Sequence, residues 1–396
     1  MSTPLPNSIA AMAPELTEWR RDLHQHPELG YEETRTSALV AERLRGFGFD
    51  RVETGIGGTG VVGALYGAGG APAEGAEGVM LRADMDALPI HEADRSRPHR
   101  STVDGKMHAC GHDGHMTMLL GAAKHLAETR NFEGVVYFCF QPAEEGGAGA
   151  DAMIRDGLFE RFPTSRVFGM HNWPGLSVGQ FAVRSGPMLA SADEFRIVFQ
   201  GRGGHAAKPD KARDPLVAAA HFVTAAQTLV ARSVDPLEPA VVSITTFHAG
   251  SAFNVIPDSA ELSGTVRSFN EEVHALIYAR METLADEVAG MFDMTAKMTR
   301  PSNLYPPTLN DRDATAFAEG VLTDLAGPEN VKTDFPPTMG AEDFSFLSRA
   351  VPGCFIFTGN GDSASLHHPN YDFNDAALPF GVAYWTRLVE TAQPKT

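Results

Sequence analysis

The sequence has few cysteines, fewer basic than acidic residues and no long apolar run, and each shortage excludes a class of protein. Three cysteines in 396 residues cannot build a disulfide framework, which favours a reducing compartment such as the cytoplasm. Lysine and arginine number 32 against 50 acidic residues, and the net charge of −18 disfavours nucleic acid or an anionic membrane as a partner. No apolar stretch approaches the roughly 18 residues that span a bilayer. We therefore expect a cytoplasmic protein that binds neither nucleic acid nor membranes.

The alternation of strand and helix patterns predicts two domains, in a chain that is too long for one ordinary core. Up to residue 186, short apolar runs alternate with helical patterns, which is typical of an α/β fold with a mostly parallel sheet and helices on both faces. Residues 187–301 follow the order β-α-β-β-α-β, which predicts an inserted α+β, ferredoxin-like domain. Ser302 to Pro307 is the predicted return linker. We therefore assign residues 1–186 and 302–396 to one α/β domain.

One thiol and three imidazoles lie close together between Met107 and His115. Cysteine and histidine bind borderline-soft divalent metals, and the pair Cys110 and His112 offers two such ligands on one short stretch. Further candidate ligands each follow an apolar run: Glu144, Glu145, His171 and His367. Because open α/β sheets bind ligands at the carboxyl ends of their strands, we expect these residues to converge on one metal site. The adjacent carboxylates indicate that this site is hydrolytic.

Eight short motifs in register together resemble one known family. They cover nearly the whole chain: His24–Glu28, Arg82–Pro89, Met107–His115, Gln141–Glu145, Met170–Asn172, Gly201–Pro209, Asn254–Pro257 and Leu366–Pro369. These motifs resemble the dinuclear metallopeptidase and amidohydrolase family of aminoacylases, carboxypeptidase G and hippurate hydrolases. Within that family the chain is most similar to the branch with hippurate hydrolase and the plant auxin–amino acid conjugate hydrolases. The resemblance implies a catalytic α/β domain and an inserted domain that serves as lid and dimerisation surface.

The resemblance also implies the ligand set of a dinuclear metal centre. Two divalent metal ions would be bound per subunit, and Cys110 would bridge or bind both of them. The remaining ligands implied by the resemblance are His112, Glu145, His171 and His367. The sequence therefore leads us to expect a mixed shell of sulfur, nitrogen and oxygen.

Two positions depart from the pattern of many members of this family. Asp84-Met85-Asp86 stands where they have His-x-Asp, and Cys110 stands where they have a bridging aspartate. Both departures fit the hippurate-hydrolase branch, and they leave the identity of the metal open. A thiolate favours Zn²⁺, Ni²⁺ or Co²⁺, whereas carboxylates suit Mn²⁺. We expect Mn²⁺ or Zn²⁺, with Ni²⁺ or Co²⁺ as alternatives.

The acidic residues near these motifs are assigned different tasks. In an extended loop neighbouring side chains point to opposite sides, so that one glutamate would reach the metals while the other faces the bound water. By resemblance Glu145 is the metal ligand and Glu144 the general base. Asp86 is expected to orient a metal-bound imidazole, which is a common role for carboxylates. Asp84 is either a similar acceptor or the ion-pair partner of Arg82.

Three residues of the predicted insertion are assigned to the substrate: His205, Asn254 and Arg267. Taken as lone residues, they would more often be exposed surface contacts. The resemblance implies that His205 reaches the active site of a partner subunit and stabilises the oxyanion, and Asn254 follows the same logic. Arg267 offers a planar guanidinium fork, which suits a substrate with a free α-carboxylate. We therefore expect a homodimer or homotetramer that forms through the insertion.

Several other histidines are interpreted as structural rather than as ligands: His24, His26, His108, His115 and His125. His24 and His26 lie far from any strand end, so that hydrogen-bonded structural roles are expected for them. His115 and His125 lie on the helix that is predicted to follow Asp113 as its N-cap, where they would pack or be solvated. Nothing marks His108 as a ligand.

The sequence favours hydrolysis of the amide bond of N-acyl amino acids, by a hydroxide generated at the metals with Glu144 as general base. A dipeptidase or carboxypeptidase with the same site is an alternative. A second alternative makes Cys110 a nucleophile with His112 as its base, although side chains two residues apart seldom face one another. A third is a catalytically inactive relative, against which the complete ligand set argues.

Overall fold

The computed structural model describes residues 5–73, 75–300 and 305–395, which form eleven α-helices and sixteen strands. The helices are α1 Asn7–Ala10, α2 Ala13–Gln25, α3 Thr34–Gly46, α4 His112–Thr129, α5 Gly149–Arg155, α6 Leu158–Arg161, α7 Pro215–Ser233, α8 Glu271–Met291, α9 Arg312–Ala326, α10 Phe344–Ala350 and α11 Leu378–Ala392. The strands are β1 Arg51–Ile56, β2 Gly60–Tyr66, β3 Gly78–Asp84, β4 Val135–Gln141, β5 Thr164–Pro174, β6 Phe181–Ala182, β7 Gly186–Leu189, β8 Asp193–Gln200, β9 Gly204–His205, β10 Ala240–Ala249, β11 Val255–Ile256, β12 Ser259–Ser268, β13 Thr295–Thr299, β14 Thr308–Asn310, β15 Val331–Lys332 and β16 Gly353–Gly361.

These elements fall into two compact units. The first consists of Met1–Met188, Leu309–Pro336 and Asp343–Thr396, and the second of Leu189–Thr308 and Pro337–Glu342. The second unit therefore begins two residues after the predicted boundary at 186/187 and gains a short segment that no sequence pattern indicated. Of the predicted return linker, residues 302–304 lie outside the described residues. Tyr305 pairs through its backbone with Ala192, which draws the end of the linker into the second unit.

The first unit is built around an eight-stranded sheet with the strand order β1-β2-β4-β3-β5-β16-β6-β15. The central strands β4, β3, β5 and β16 are parallel, and antiparallel strands lie towards the edges. Helix α4 packs on β3, β4 and β5, while α5 and α10 pack on strands that include β4 and β16. Every residue of β3 and β4 is buried, and these strands are apolar along most of their length rather than alternating, with Arg82, Asp84 and Gln141 as polar residues towards their ends. The predicted α/β fold with a mostly parallel sheet is confirmed.

Helix α4 lies in the core of the first unit, in contact with α2 and α11. Its N-cap is Gly111, with a φ of 91°, and the helix begins at His112. The predicted N-cap, Asp113, is therefore wrong. Glycine supplies the left-handed backbone that this helix start requires. The Asp113 carboxylate, which the prediction assigned to capping, is buried and instead forms an ion pair with His24, whose Nδ1 lies 2.8 Å away.

The second unit has the predicted order β-α-β-β-α-β. Four of its strands form an antiparallel sheet in the order β10-β12-β8-β13. Strand β8 alternates between buried and exposed residues, and Phe195, Ile197 and Phe199 face a core that includes Phe222 of α7 and Tyr278 of α8. This alternation is what one covered face and one open face require. No helix among the described residues of either unit is long and apolar enough to cross a membrane.

Candidate metal centre

The topology of the first sheet brings the predicted ligand-bearing segments to one edge. Strand β3 ends at Asp84, opposite Gln141 at the end of β4. His171 lies in the second half of β5, in register with Phe357 of β16. These neighbouring strands run parallel, so their carboxyl ends meet at the same edge. The beginning of α4, the turn after β4 and the loop after β16 carry the remaining candidates.

Five predicted ligands come together there, and we call them the ligand cluster: Cys110, His112, Glu145, His171 and His367. The potential ligand atoms of Cys110, His112 and His171 lie within 4.8 Å of one another, as do those of Cys110, Glu145 and His367. Cys110 Sγ lies 3.4 Å from His171 Nε2, and His367 Nε2 lies 3.2 Å from Glu145 Oε1. Cys110 thus belongs to both groups, which is the position a bridging ligand would need.

Hydrogen bonds orient the two imidazoles deepest in the cluster. His112 Nδ1 lies 2.8 Å from the backbone oxygen of Asp86 and 3.3 Å from its Oδ1. His171 Nδ1 lies 2.7 Å from the backbone oxygen of Asn172. Because these oxygens accept, each Nδ1 carries a proton, which leaves each Nε2 as the ring nitrogen that could bind a metal ion. Among the described residues, His112 Nε2 is buried without a hydrogen-bond partner. An unpartnered buried nitrogen that faces other donors fits a metal ligand.

The charges around the cluster also fit a divalent cation. Burial, with the charge of His115 next, holds the pKa of His171 well below its ordinary value, so this imidazole is neutral. Burial, followed by the charges of Glu145 and Glu144, raises the pKa of the Cys110 thiol well above its ordinary value. A bound cation would reverse this effect and stabilise the thiolate. The set of sulfur, nitrogen and carboxylate donors is typical of zinc and related ions.

The pKa of His112 shows the excess of negative charge most clearly. Burial by itself lowers this pKa, but Asp84 and Asp86 outweigh it and raise the pKa to about 10. The net effect on Glu145 runs the other way. Burial raises its pKa, but the hydrogen bond from His367 and the charge of His112 outweigh burial and lower the pKa below its ordinary value, so that Glu145 is ionised. Such a site gains stability from a positive charge, either on His112 or on a metal ion.

The two adjacent glutamates lie in a turn rather than in an extended loop. Ala143 has a φ of 51°, and the backbone nitrogen of Gly146 donates to the oxygen of Glu144 over 2.7 Å. As a result, both carboxylates lie within 4.8 Å of one another and of a ring nitrogen of His112. The expectation that they point to opposite sides is therefore wrong. The left-handed residue before the pair turns both side chains towards the cluster.

Gly111 is required between the two ligands that precede and begin α4. A Cβ atom at this position would lie 2.3 Å from Asn172 Oδ1 and 2.6 Å from the hydroxyl oxygen of Tyr371. No side chain fits at such distances, and the φ of 91° also favours glycine. The backbone between Cys110 and His112 is therefore held close to its neighbours, which fixes the direction of both side chains.

His115 is the residue at this site that the sequence interpretation missed. It is fully buried, with Nδ1 2.6 Å from Asp84 Oδ1 and Nε2 2.7 Å from Asn172 Oδ1. Its ring lies 4.4 Å from that of His171, centroid to centroid. Asp84 also binds Arg82 over 2.8 Å, so both roles left open for Asp84 are realised. The spacing of three residues from a ligand on a helix was the available signal.

The candidate substrate residues all lie in the second unit, and only two of them are neighbours. His205 pairs with Val255 across β9 and β11, and the backbone nitrogen of Ala206 donates to the oxygen of Asn254. Both His205 and Asn254 are exposed. Strand β12 begins at Ser259, shortly after β11. Arg267 lies near the other end of β12, where it pairs with Val241, roughly 25 Å along the strand from Ser259. Within one chain, Arg267 does not join the other two.

The fold and the ligand cluster together define a metal-dependent hydrolase, and comparison with known proteins identifies its family. Residues 80–391 match Peptidase family M20/M25/M40, and the chain belongs to this family. The predicted family and the predicted enzyme class, a hydrolase of amide bonds, are thereby confirmed.

Relatives extend over almost the whole chain. Hippurate hydrolase of Campylobacter jejuni is 42% identical over 374 residues, which are 94% of this chain and 95% of that protein. IAA-amino acid hydrolase ILR1-like 4 of Arabidopsis thaliana is 42% identical over 373 residues, covering 92% of this chain and 82% of the relative. A crystal structure of a dinuclear metal-binding peptidase of the M20 family from Bacillus subtilis superposes with a TM-score of 0.82 at 34% identity, covering 97% and 98% of the two chains.

Proposed function

We propose that this protein hydrolyses the amide bond of N-acyl amino acids. The observation that carries the proposal is the convergence of the ligand cluster with the carboxylate of Glu144 at the edge of a parallel sheet. The names of two relatives support the substrate class, because hippurate and the IAA-amino acid conjugates are both amino acids with an acyl group on nitrogen. The partner in this reaction is a small molecule, and neither nucleic acid nor a membrane is required.

The ligand cluster would hold two divalent metal ions, with Cys110 shared between them. When bound, such ions lower the pKa of a coordinated water towards about 7 and polarise a carbonyl group. The donors leave a choice of metal, because the Cys110 sulfur suits Zn²⁺, Ni²⁺ or Co²⁺ and the carboxylates suit Mn²⁺. We propose Zn²⁺ or Mn²⁺ as the native metal and the cytoplasm as the compartment.

Glu144 is the proposed general base and acid. Its carboxylate is buried and lies within 4.8 Å of ligand atoms of His112 and Glu145. From there it would take the proton of the attacking water and deliver it to the nitrogen of the leaving amine. An amide nitrogen must be protonated as it leaves, so the same carboxylate serves both proton transfers.

Asp86 supports this arrangement from behind the cluster. Its Oδ1 lies 3.3 Å from His112 Nδ1, and its Oδ2 accepts a hydrogen bond of 2.9 Å from the backbone nitrogen of Glu145. One buried carboxylate therefore contacts an imidazole and the glutamate turn together. We propose that it keeps both in the geometry that the reaction requires.

The second unit supplies the proposed substrate contacts and the subunit interface. His205, in the exposed β9–β11 pair, would stabilise the oxyanion in the active site of a partner subunit, with Asn254 beside it. Arg267 would bind the α-carboxylate of the substrate as a planar fork. Strand β10 is at an edge of its sheet, and Phe247 on this strand is 41% exposed, which supports a homodimer or homotetramer through this unit.

The three alternatives are supported to different degrees. A dipeptidase or carboxypeptidase would use the same site, and the family's description as peptidases supports this second candidate. A thiol hydrolase would need an activated Cys110 thiolate, whereas burial and neighbouring carboxylates raise the pKa of this thiol. A non-catalytic role would leave the complete ligand cluster and the adjacent Glu144 without a purpose.

Amine release from benzoyl, acetyl and indole-acetyl amino acids tests the proposal, with added Mn²⁺ or Zn²⁺ and with a chelator. We expect turnover that requires metal and is abolished by chelation, and the order of rates would give the acyl preference. Hydrolysis of dipeptides without hydrolysis of any N-acyl amino acid would establish the peptidase instead. Turnover that the chelator does not affect would overturn the metal-dependent mechanism.

A further inference from the structure

The segment from Glu28 to Glu33, which carries no predicted ligand, contacts both loops that shape the metal centre. We call it the 28–33 segment. The backbone oxygen of Glu28 accepts from the nitrogen of Ala87, directly after Asp86. The hydroxyl of Tyr31 donates to the backbone oxygen of Gly147 over 2.7 Å, just beyond the glutamate turn. The 28–33 segment therefore borders the metal centre on the side of these two loops.

Glu33 makes the most specific of these contacts. Its Oε1 accepts a hydrogen bond of 2.8 Å from the backbone nitrogen of Ala143, and its Oε2 accepts one of 2.5 Å from the hydroxyl of Thr59. Glu33 is completely buried. A buried backbone N–H needs an acceptor, and Ala143 also has a φ of 51°, which is unfavourable for a residue with a Cβ atom. The carboxylate thus supports the strained residue that immediately precedes Glu144.

The Glu33 side chain is not needed for the helix that follows it. Helix α3 begins at Thr34, and its N-cap residue Glu33 makes no side-chain capping hydrogen bond. Instead, the carboxylate of Glu28 accepts from the backbone nitrogens of Arg35 and Thr36 at the start of this helix. The two glutamates of the segment therefore have separate tasks: one caps α3, and the other is directed to the glutamate turn.

Gly30 brings the same segment against the same turn. A Cβ atom at Gly30 would lie 3.0 Å from Ala143 Cβ, 3.1 Å from Ala143 Cα and 3.5 Å from Asp86 Oδ2. Contacts this short would oblige the turn to move by a few tenths of an ångström. The close approach of the backbone at Gly30 and the hydrogen bond from Ala143 to Glu33 thus limit the position of Ala143 from one side.

We propose that Glu33 is a positioning residue, which holds Ala143 and so places Glu144 and Glu145 at the metal centre. The inference rests on the proposed function for the tasks of these two glutamates. Without the acceptor, the N–H of Ala143 must turn towards another partner, and both carboxylates move with it. The expected consequence is a lower kcat and weaker metal binding, with little change in KM, because Glu33 does not touch the substrate.

The test compares Glu33→Met with Glu33→Gln, which keeps an oxygen that can accept from Ala143. At saturating metal, Glu33→Met should lower kcat on an N-acyl amino acid by about 10–100-fold, the range seen when a partner behind a metal ligand is lost. KM should change less than about threefold on the same reasoning. Zinc affinity, measured by competition with a chelating dye, should fall at least about tenfold. Glu33→Gln should recover both quantities to within about threefold of the parent.

Thr59→Val is the matched control, since it removes the other partner of the same carboxylate and leaves Ala143 with its acceptor. It should retain parental kcat and zinc affinity. Equal losses in Thr59→Val and Glu33→Met would overturn the proposal, because they would indicate a general packing defect. A folded Glu33→Met protein with parental kcat and zinc affinity would overturn it as well.

Gly30→Ala tests the same turn if Glu33→Met does not fold. The added methyl group presses on Ala143 without removing any hydrogen bond, and we expect a lower kcat and weaker zinc binding. Gly46→Ala is its control, because a Cβ atom there meets nothing within 4 Å. Parental behaviour of Gly30→Ala in both measurements would contradict the proposal. If the parent hydrolyses no N-acyl amino acid, the proposed function fails, while zinc affinity still tests the positioning.

Discussion

Two largely buried clusters in the first unit both combine histidine with carboxylates, and they differ in how their charges are balanced. The ion-pair cluster consists of Arg20, His24, Glu92, Asp113, Asp372 and Asp375. In it, Arg20 lies 2.6 Å from Asp375 and 3.2 Å from Asp372, and His24 lies 2.8 Å from Asp113. The ligand cluster, by contrast, contains no arginine or lysine, and a thiol, three imidazoles and a carboxylate face one another. A histidine beside a carboxylate is therefore not by itself the sign of a metal site.

The pKa values show the same difference. Burial lowers the pKa of His24, but the hydrogen bond to Asp113 outweighs burial and raises the pKa to about 9. For Asp113, burial acts in the opposite direction and His24 again prevails, so that its pKa lies below the ordinary range. The ion-pair cluster therefore contains its own counter-charges. The ligand cluster combines the neutral His171 and the Cys110 thiol with His112, whose pKa Asp84 and Asp86 raise to about 10, so it would gain stability from a cation supplied from outside.

The largest expected effect is that of Glu144→Gln on turnover. Removing a general base typically lowers the rate by about 10²–10⁴-fold. Because Glu144 is proposed as a base and not as a ligand, the variant should keep its full content of metal. Steady-state kinetics together with metal analysis of the purified variant check both expectations. Loss of metal from this variant would contradict the division of tasks between the two glutamates.

The next effect concerns the ion-pair cluster. Arg20→Leu leaves buried acids without their partner, which typically costs about 3–5 kcal/mol of unfolding free energy. Arg21 forms an ion pair of 2.9 Å with the same Asp375 but is 44% exposed, so Arg21→Leu should cost only about 0–1 kcal/mol. Urea unfolding with and without zinc measures both variants. Equal costs in the two variants, or a cost at Arg20 that zinc abolishes, would remove the distinction between the clusters.

Glu145→Gln should change the ligand cluster where Arg20→Leu does not. Loss of a residue that hydrogen-bonds a metal ligand typically weakens metal binding about 10–100-fold. Because Glu145→Gln removes a ligand itself, its zinc affinity should fall by more than that. Competition with a chelating dye measures the zinc affinity. Arg20→Leu is the control, and under conditions where this variant is folded we expect it to bind zinc with the affinity of the parent. Full occupancy of Glu145→Gln at micromolar zinc would count against its role as a ligand.

The smallest effect is a dependence of stability on pH through His24. Its pKa is raised from about 6.5 in the unfolded chain to about 9 in the folded protein. The folded state therefore binds more protons, and the contribution of His24 is complete below about pH 6.5 and is lost as the pH rises through about 9. The difference in melting temperature between the parent and His24→Gln should be larger at pH 6.5 than at pH 9.5. A difference that does not change with pH would show that His24 is not charged in the folded protein.

Part of the site could be predicted because its signals are local. Cys110 and His112 lie two residues apart before a helical pattern, and His171 lies in an apolar strand. Parallel strands with helices between them follow from the order of such runs, and so does the meeting of their carboxyl ends. His115 was assigned to packing because its spacing of three residues from a ligand places it on the same side of the helix but does not separate a site partner from a core residue.

The sequence by itself determined the class of this protein: its α/β fold, the inserted α+β unit and the residue types of a metal-dependent hydrolase. Only the tertiary structure decided which charges meet. Arg20 binds Asp375 across 355 positions, and Glu33 binds Ala143 across 110. Local periodicity reports which face of a helix or strand is buried, because that depends on neighbours along the chain. It does not report the partner of a buried charge, because the partner is set by how distant elements pack, and here that packing separates the ion-pair cluster from the ligand cluster.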